Sequence, residues 1–265
     1  MDRSVAITRH TRADFASMHA AGRLAAETLD YITPFVQPGV ETQELDRLIA
    51  EFVISHGAVN APLGYRGYPK SCCISINHVV CHGIPSEKTL KDGDIVNIDV
   101  TPILDGWYGD SSRMYTVGKV NVQARRLIDV TYECLMRAID IVRPGTRLGD
   151  IGAVIQEYAE AQRFSVVRDF CGHGLGRVFH AEPNVMHYGR RGTGAVLDEG
   201  MFFTIEPMIN AGGPDTKILA DDWTAVTRDR KLSAQFEHSI GVTADGCEVF
   251  TLSPKGYTLP PYEPA

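Results

Sequence analysis

Residues 92–116 read DGDIVNIDVTPILDGWYGDSSRMYT, and the stretch folds on paper. From Ile95 to Thr101 the residues alternate. Val96, Ile98 and Val100 share one face and Asn97, Asp99 and Thr101 the other, which predicts a strand with one buried apolar side. Asp105-Gly106 signals a type I′ hairpin, because both central positions of that turn need φ > 0. A two-residue loop there sets Asp99 opposite Ser112 and Asp110 opposite Thr101. The two aspartates become diagonal neighbours on the polar face, roughly 7–8 Å apart at the backbone. Two carboxylates so placed repel each other unless a proton or a cation lies between them. The hairpin therefore asks for a metal ion.

Helical patterns flank it. Thr11 as N-cap, with Asp14 three residues on, opens a helix that turns Phe15, Met18, Gly22, Ala25, Leu29 and Ile32 inward and stops at Gln37-Pro38-Gly39. A second helix, with Thr42 as N-cap, carries Leu45, Leu48, Ile49, Phe52 and Val53 on its stripe and ends before Gly57. Residues 58–71 hold two tyrosines among glycines and prolines and read as an ordered loop of the kind that lines sites. Cys72 to Ile76 read as a short strand. Beyond the hairpin, helices are expected over about 122–142 and 148–163.

This order repeats. The segment from Val36, VQPGVETQELDRLIAEF, matches that from Val142, VRPGTRLGDIGAVIQEY, in its Val, Pro and Gly and in Ile49 with Ile155 and Glu51 with Glu157. LKDGDIVNIDV from Leu90 lies over LDEGMFFTIEP from Leu197, pairing Gly93 with Gly200 and Asp99 with Glu206. His82-Gly-Ile-Pro85 likewise answers His180-Ala-Glu-Pro183. The expectation is one domain over 1–265, made of a duplicated unit with halves at about 11–116 and 122–250. Matching carboxylates would converge between the halves.

Composition narrows the function. A chain of 265 residues that is 44% hydrophobic can bury a full core. A net charge of −7 and the lack of any Lys/Arg run argue against nucleic acid as the main partner. No apolar run approaches a membrane span, and the first residues show no signal-peptide core, so a cytoplasmic protein is expected. The six cysteines have no CxxC spacing and read as free thiols. The Pro-rich end, about 253–265, is expected to be a flexible tail.

Three further residues qualify as ligands. His173 lies in CGHGLG, where flanking glycines allow close approach. Glu206 ends FFTIE, with Thr204 on its face and Pro207 forcing extended backbone. Glu237 alternates with Phe236 and His238 in AQFEHSIGV. Taken alone, each has a plain structural reading as a solvated strand carboxylate or a satisfied histidine. Together, four carboxylates and one imidazole suit two divalent ions such as Mn, Fe, Co or Zn, with a bridging hydroxide as nucleophile for hydrolysis.

The order SINHVVCHGIP, NIDV, DGWYGDSS, CGHGLGRVFHAEP, FTIEPM and AQFEHSI resembles the type I methionine aminopeptidases, in their bacterial form without an N-terminal extension, over about residues 5–252. The resemblance implies a pita-bread α/β fold, internally duplicated, with a curved antiparallel sheet covered by helices. It implies Asp99, Asp110, His173, Glu206 and Glu237 as ligands of two divalent ions, with Asp110 and Glu237 bridging. His82 and His180 would contact the substrate, and Glu206 would carry the proton. The methionine pocket would use Tyr65, Tyr68, Cys73, Phe179 and Trp223, an aromatic and sulfur-rich lining suited to a thioether. Backbone at Asn77, Val79 and Ser233 would hold a monovalent cation, Na or K. Peptide and nascent-protein N-termini would be the substrates of a monomer, with transient ribosome association and a small second residue preferred. Arg66, Pro62 and His78 stand where the family commonly has His, Cys and Glu. The rival readings are an Xaa-Pro aminopeptidase or prolidase of the same fold, whose chains usually carry an extra N-terminal domain, and a pita-bread protein that only binds.

Overall fold

A computed structural model describes residues 6–262. Four long helices cover a set of short antiparallel sheets. Helix α1, Arg12–Ile32, opens on Thr11, whose backbone N–H and hydroxyl both donate to Asp14 Oδ2, at 2.7 and 2.8 Å. Helix α2, Thr42–Ser55, has Glu41 as its N-cap, one residue before the expected Thr42. The Thr42 hydroxyl is engaged elsewhere, donating to the Ser86 carbonyl and accepting the Ser86 N–H. Helices α3, Val122–Asp140, and α4, Leu148–Ala161, end two residues short of expectation. Residues 58–71 hold a two-residue strand, Val59–Asn60, and one 3₁₀ turn, Tyr65–Gly67.

The hairpin has the expected register. Strand Ile95–Val100 pairs with Ser111–Thr116, with Asp99 opposite Ser112, and Leu104 faces Trp107 across the two-residue turn. Asp105 and Gly106 both have positive φ, 51° and 79°, as a type I′ turn requires. Cys73–Ile76 pairs on the other side, so the Asp99 strand is central, between Cys73 and Ser112.

The duplication is visible in hydrogen bonds. Gly39 N–H donates to Leu90 O and Gly145 N–H to Leu197 O. Leu90 N–H returns to Val40 O as Leu197 N–H does to Thr146 O. The strand order Cys73–Ile76, Ile95–Val100, Ser111–Thr116 is matched by Gly172–Gly174, Phe202–Ile205, His238–Val242. Each half has its own core, one under α1 and α2 around Leu29, Leu45 and Ile98, the other under α3 and α4 around Leu127, Ile155 and Phe203. An aromatic cluster of Phe15, Trp107, Phe202 and Phe250 ties them together. No helix among the described residues is long and apolar enough to cross a membrane.

The C-terminal segment departs from expectation. Up to residue 262 it is strapped to the first half, and only 263–265 lie outside the described residues. The Ser253 hydroxyl donates to Asp30, Tyr262 OH donates to the Met114 carbonyl at 2.7 Å, and the Tyr262 ring meets Tyr115 edge-on. Pro-rich composition signalled looseness, but one aromatic with a pocket to fill holds the segment down. Beneath it Asp30 pairs with Arg113, their side chains 3% and 4% exposed. Removing one partner of a buried pair leaves the other charge uncompensated. Asp30→Ala is expected to cost about 3–5 kcal/mol of stability, read from urea denaturation. A loss below ~1 kcal/mol would show that the pair is dispensable.

Candidate metal centre and active site

The central hairpin and its counterpart meet edge to edge. Ser112 and Glu237 form a bridge in which Glu237 N–H donates to Ser112 O at 3.1 Å. Ser111 Oγ donates to Glu237 O at 2.9 Å, and Ser239 Oγ donates to Asp110 O at 2.6 Å. The backbones of Asp110 and Glu237 are thereby tied to each other across the seam. Glu237 does not sit within one continuous strand, as its alternation suggested, but in the break between Ser233–Gln235 and His238–Val242. That break turns it toward the hairpin.

Asp110, His173 and Glu237 each offer a ligand atom within 4.8 Å of the others. His173 Nε2 lies 3.5 Å from Asp110 Oδ2 and 3.8 Å from Glu206 Oε1. Its Nδ1 faces the Gly174 carbonyl at 3.1 Å. A carbonyl only accepts, so Nδ1 carries the proton and Nε2 is the nitrogen aimed at the carboxylates. The glycines beside His173 serve backbone packing: a Cβ at Gly172 would lie 2.3 Å from Thr204 O, and one at Gly174 2.1 Å from Glu182 O.

Asp110 accepts from Thr101 Oγ1 at 2.8 Å. Glu206 accepts from Thr204 Oγ1 at 2.8 Å and Gln235 Nε2 at 3.2 Å. The Asp99 and Glu237 carboxylates have no hydrogen-bond donor among the described residues. Burial, and then repulsion from Asp110 and Glu206, pushes the Asp99 carboxyl far above its ordinary range. Burial and the other three carboxylates do the same to Glu237. Glu206 rises to about 7, chiefly by burial, with Asp110 adding to the rise and His173 opposing it. Burial depresses His173, but its bond to Asp110 and the nearby Glu206 outweigh that and raise it. Carboxylates buried this closely, two of them without donors, fit a divalent cation, and the oxygen-rich set with one imidazole fits a hard or borderline one.

All the expected metal, substrate and catalytic side chains line one cavity of about 360 Å³. Asn77, Val79 and Ser233 do not; Ser233 N–H donates to Asn77 O at 2.8 Å, and the buried Ser233 Oγ has no partner among the described residues. On one wall Tyr65 OH meets His180 Nδ1 at 2.9 Å and its ring tilts on Phe179, 4.9 Å between centroids. Burial and the neighbouring His173 hold His180 down to about 4. On the other wall Trp223 stands edge-on to Tyr68 and His82. His82 takes a left-handed φ of 55°, and burial lowers its pKa. The Arg66 guanidinium covers the Tyr65 ring, 5.3 Å from its centroid.

Phe170, Gln235 and His187 were not singled out from the sequence, and Thr204 was placed on the face of Glu206 without a role. Phe170 stands perpendicular to His82, 5.5 Å away. Thr204 and Gln235 each sit two residues before a candidate ligand, the same-face spacing of a strand, so that signal was available. His187 left none.

The sequence matches the model of metallopeptidase family M24 over residues 16–244. It is 63% identical to a methionine aminopeptidase of Rickettsia prowazekii over 96% of this chain and 98% of that one. It is 55% identical to a methionine aminopeptidase of Escherichia coli strain K12, over 97% of each. A crystal structure of the Rickettsia prowazekii enzyme superposes with a TM-score of 0.93, covering 93% of this chain and 100% of that chain.

In metal-free protein, Asp99, Glu206 and Glu237 have folded pKa values above their unfolded ones. Such acids cost nothing below the unfolded pKa and destabilise the fold as pH rises toward the folded one. For Glu206 the window runs from 4.5 to about 7, and the effect is on the order of 3 kcal/mol. The rise in Tm on adding Mn²⁺ to chelator-stripped protein is therefore expected to grow between pH 4.5 and 7. Paired melts across that range test it, and a pH-independent rise would show that these carboxylates do not hold the ion.

Proposed function

Because the chain belongs to metallopeptidase family M24, among the methionine aminopeptidases, we infer how its own residues remove an N-terminal methionine. The enzyme is a metal-dependent hydrolase of pita-bread fold that acts on peptide and protein N-termini. The observation that carries the reading is the convergence of Asp110, His173 and Glu237, with Glu206 beside them, on the floor of an aromatic cavity.

Asp99, Asp110, His173, Glu206 and Glu237 would hold two divalent ions drawn from Co, Mn, Fe and Zn. Such ions would supply a nucleophile from water at neutral pH and a Lewis acid for the amide carbonyl. Asp99 and its neighbours also offer negative charge to the substrate's free α-amino group, which limits removal to one residue. The methionine side chain lies against Tyr65, Tyr68, Cys73, Phe179 and Trp223, where sulfur meets aromatic edges. His82 and His180, both held neutral, donate hydrogen bonds to the scissile amide and to the oxyanion that develops from it. Tyr65 OH at His180 Nδ1 fixes that ring's direction. Glu206 takes the proton from water and delivers it to the leaving amine, and Thr204 and Gln235 hold its carboxylate in place. Backbone at Asn77, Val79 and Ser233 would hold a monovalent cation. The chain works as one catalytic domain and a monomer. Nascent proteins are its substrates, so it acts in the cytoplasm, with transient ribosome contact.

Release of free methionine from Met-Ala-Ser is expected only when chelator-stripped protein is refilled with Mn or Co, and is expected to fall sharply when a bulky residue replaces the alanine. Glu206→Gln should lower kcat by orders of magnitude, about 10²–10⁴-fold for a lost proton carrier, with the fold intact by circular dichroism; near-normal turnover would remove Glu206 from proton transfer. Arg66→His should change the preference among peptides more than kcat, measured on a Met-Ala-X series, and an unchanged profile would take Arg66 out of the pocket entrance.

A further inference from the structure

The two pseudo-equivalent ligands Asp99 and Glu206 are held differently. Asp99 sits inside a ladder with strands on both sides, Cys73 on one and Ser112 on the other. Glu206 lies just past the end of Phe202–Ile205. On one side that strand pairs with His238–Val242 only as far as Ile205. On the other its ladder with Gly172–Gly174 is a single pair, Phe203 with Gly174. Beyond it the two strands part. His173 N–H turns to the Thr204 hydroxyl at 3.0 Å, and Glu206 N–H has no backbone partner among the described residues. A side chain fills the gap: His187 Nε2 accepts the Glu206 N–H at 3.2 Å.

His187 is fully buried, and its other nitrogen, Nδ1, has no partner among the described residues. Because Nε2 accepts, Nδ1 carries the proton, so the ring keeps a buried N–H unpaired in order to offer a lone pair to Glu206. A residue present only to fill space would do better as leucine. The loop that presents it is fixed from behind: a Cβ at Gly152 in α4 would lie 2.3 Å from Tyr188 O and 2.8 Å from Met186 O, so the residues on either side of His187 lie directly on that helix.

We propose that His187 is a positioning residue for the reaction, standing in for the missing strand partner of Glu206 and fixing where that carboxylate meets the metal ion and the substrate. This rests on the methionine aminopeptidase reading for its kinetic arm and not for its metal-binding arm.

The test compares His187→Leu with His187→Gln, whose amide oxygen reaches about as far as Nε2. Three quantities are read: Mn²⁺ Kd by calorimetry, kcat and KM on Met-Ala-Ser, and Tm of the stripped protein. For His187→Leu we expect a Tm close to wild type, since the unpaired Nδ1–H is removed but the Glu206 N–H loses its acceptor, together with a tenfold to hundredfold loss, at about the size seen for groups that orient metal ligands, in Kd and kcat and with KM little changed. His187→Gln should recover both to within about threefold of wild type. The proposal is overturned if His187→Leu binds Mn²⁺ and turns over like wild type. It is equally overturned if His187→Gln is as impaired as His187→Leu, or if His187→Leu lowers Tm while leaving Kd and kcat per folded molecule unchanged. A wild-type protein that binds Mn²⁺ but releases no methionine would count against the aminopeptidase reading alone, and the Kd comparison would still decide the role of His187.

Discussion

Four carboxylates in one buried place repel one another, and the rest of the molecule is arranged around that repulsion. Asp99, Asp110, Glu206 and Glu237 come from two hairpin-like units whose edges meet at the Ser112–Glu237 bridge. Burial first, and the neighbouring carboxylates after it, drive the Asp99, Glu206 and Glu237 carboxyls upward, so without a cation the site takes up protons. The fold withstands this because the seam is locked from outside the cluster. The Ser111 and Ser239 hydroxyls tie the two backbones, and Asn97 donates both to Ser112 Oγ and to the Gln235 carbonyl. The repulsion is contained by neutral hydrogen bonds on its rim, and a bound divalent cation would relieve it.

Duplication explains how a short chain builds such a site. Each half supplies two helices, a three-strand core and a hydrophobic cluster of its own. Each also supplies one carboxylate on or just past a central strand and one just before the strand that follows. Asp99 and Asp110 come from the first half, Glu206 and Glu237 from the second. The halves then differ where chemistry needs a difference: the second contributes His173, and the walls above it bring Tyr65 and Phe179 together from opposite halves.

Much of this was legible in residues 92–116, because a period-two pattern and a two-residue turn together leave one register open. The helices were legible from apolar spacing, with one cap shifted where Thr42 is drawn to Ser86. What could not be read shares one cause, partners far away in sequence. Glu237 reads as mid-strand until Ser112, 125 residues earlier by number, draws it out of line. The C-terminal segment reads as loose until Tyr262 finds Met114 and Tyr115. His187 is one histidine in a loop, and only its burial against the Glu206 amide distinguishes it.

The lengths of the four acids account for their different supports. An aspartate on a strand has few side-chain torsions to order, so Asp99 needs only the ladder around it, and Asp110 a single bond from Thr101. A glutamate has one torsion more, and each free rotor loosens the position of its oxygens. Glu206 is accordingly restrained at three points, by Thr204 and Gln235 on its carboxylate and His187 on its backbone. Glu237 has its backbone pinned by Ser111 and Ser112 but no donor on its carboxylate oxygens among the described residues. It is therefore the carboxylate left free to adjust to a bound ion, whereas Glu206 is placed by the protein, as the proton-carrying role proposed for it would require.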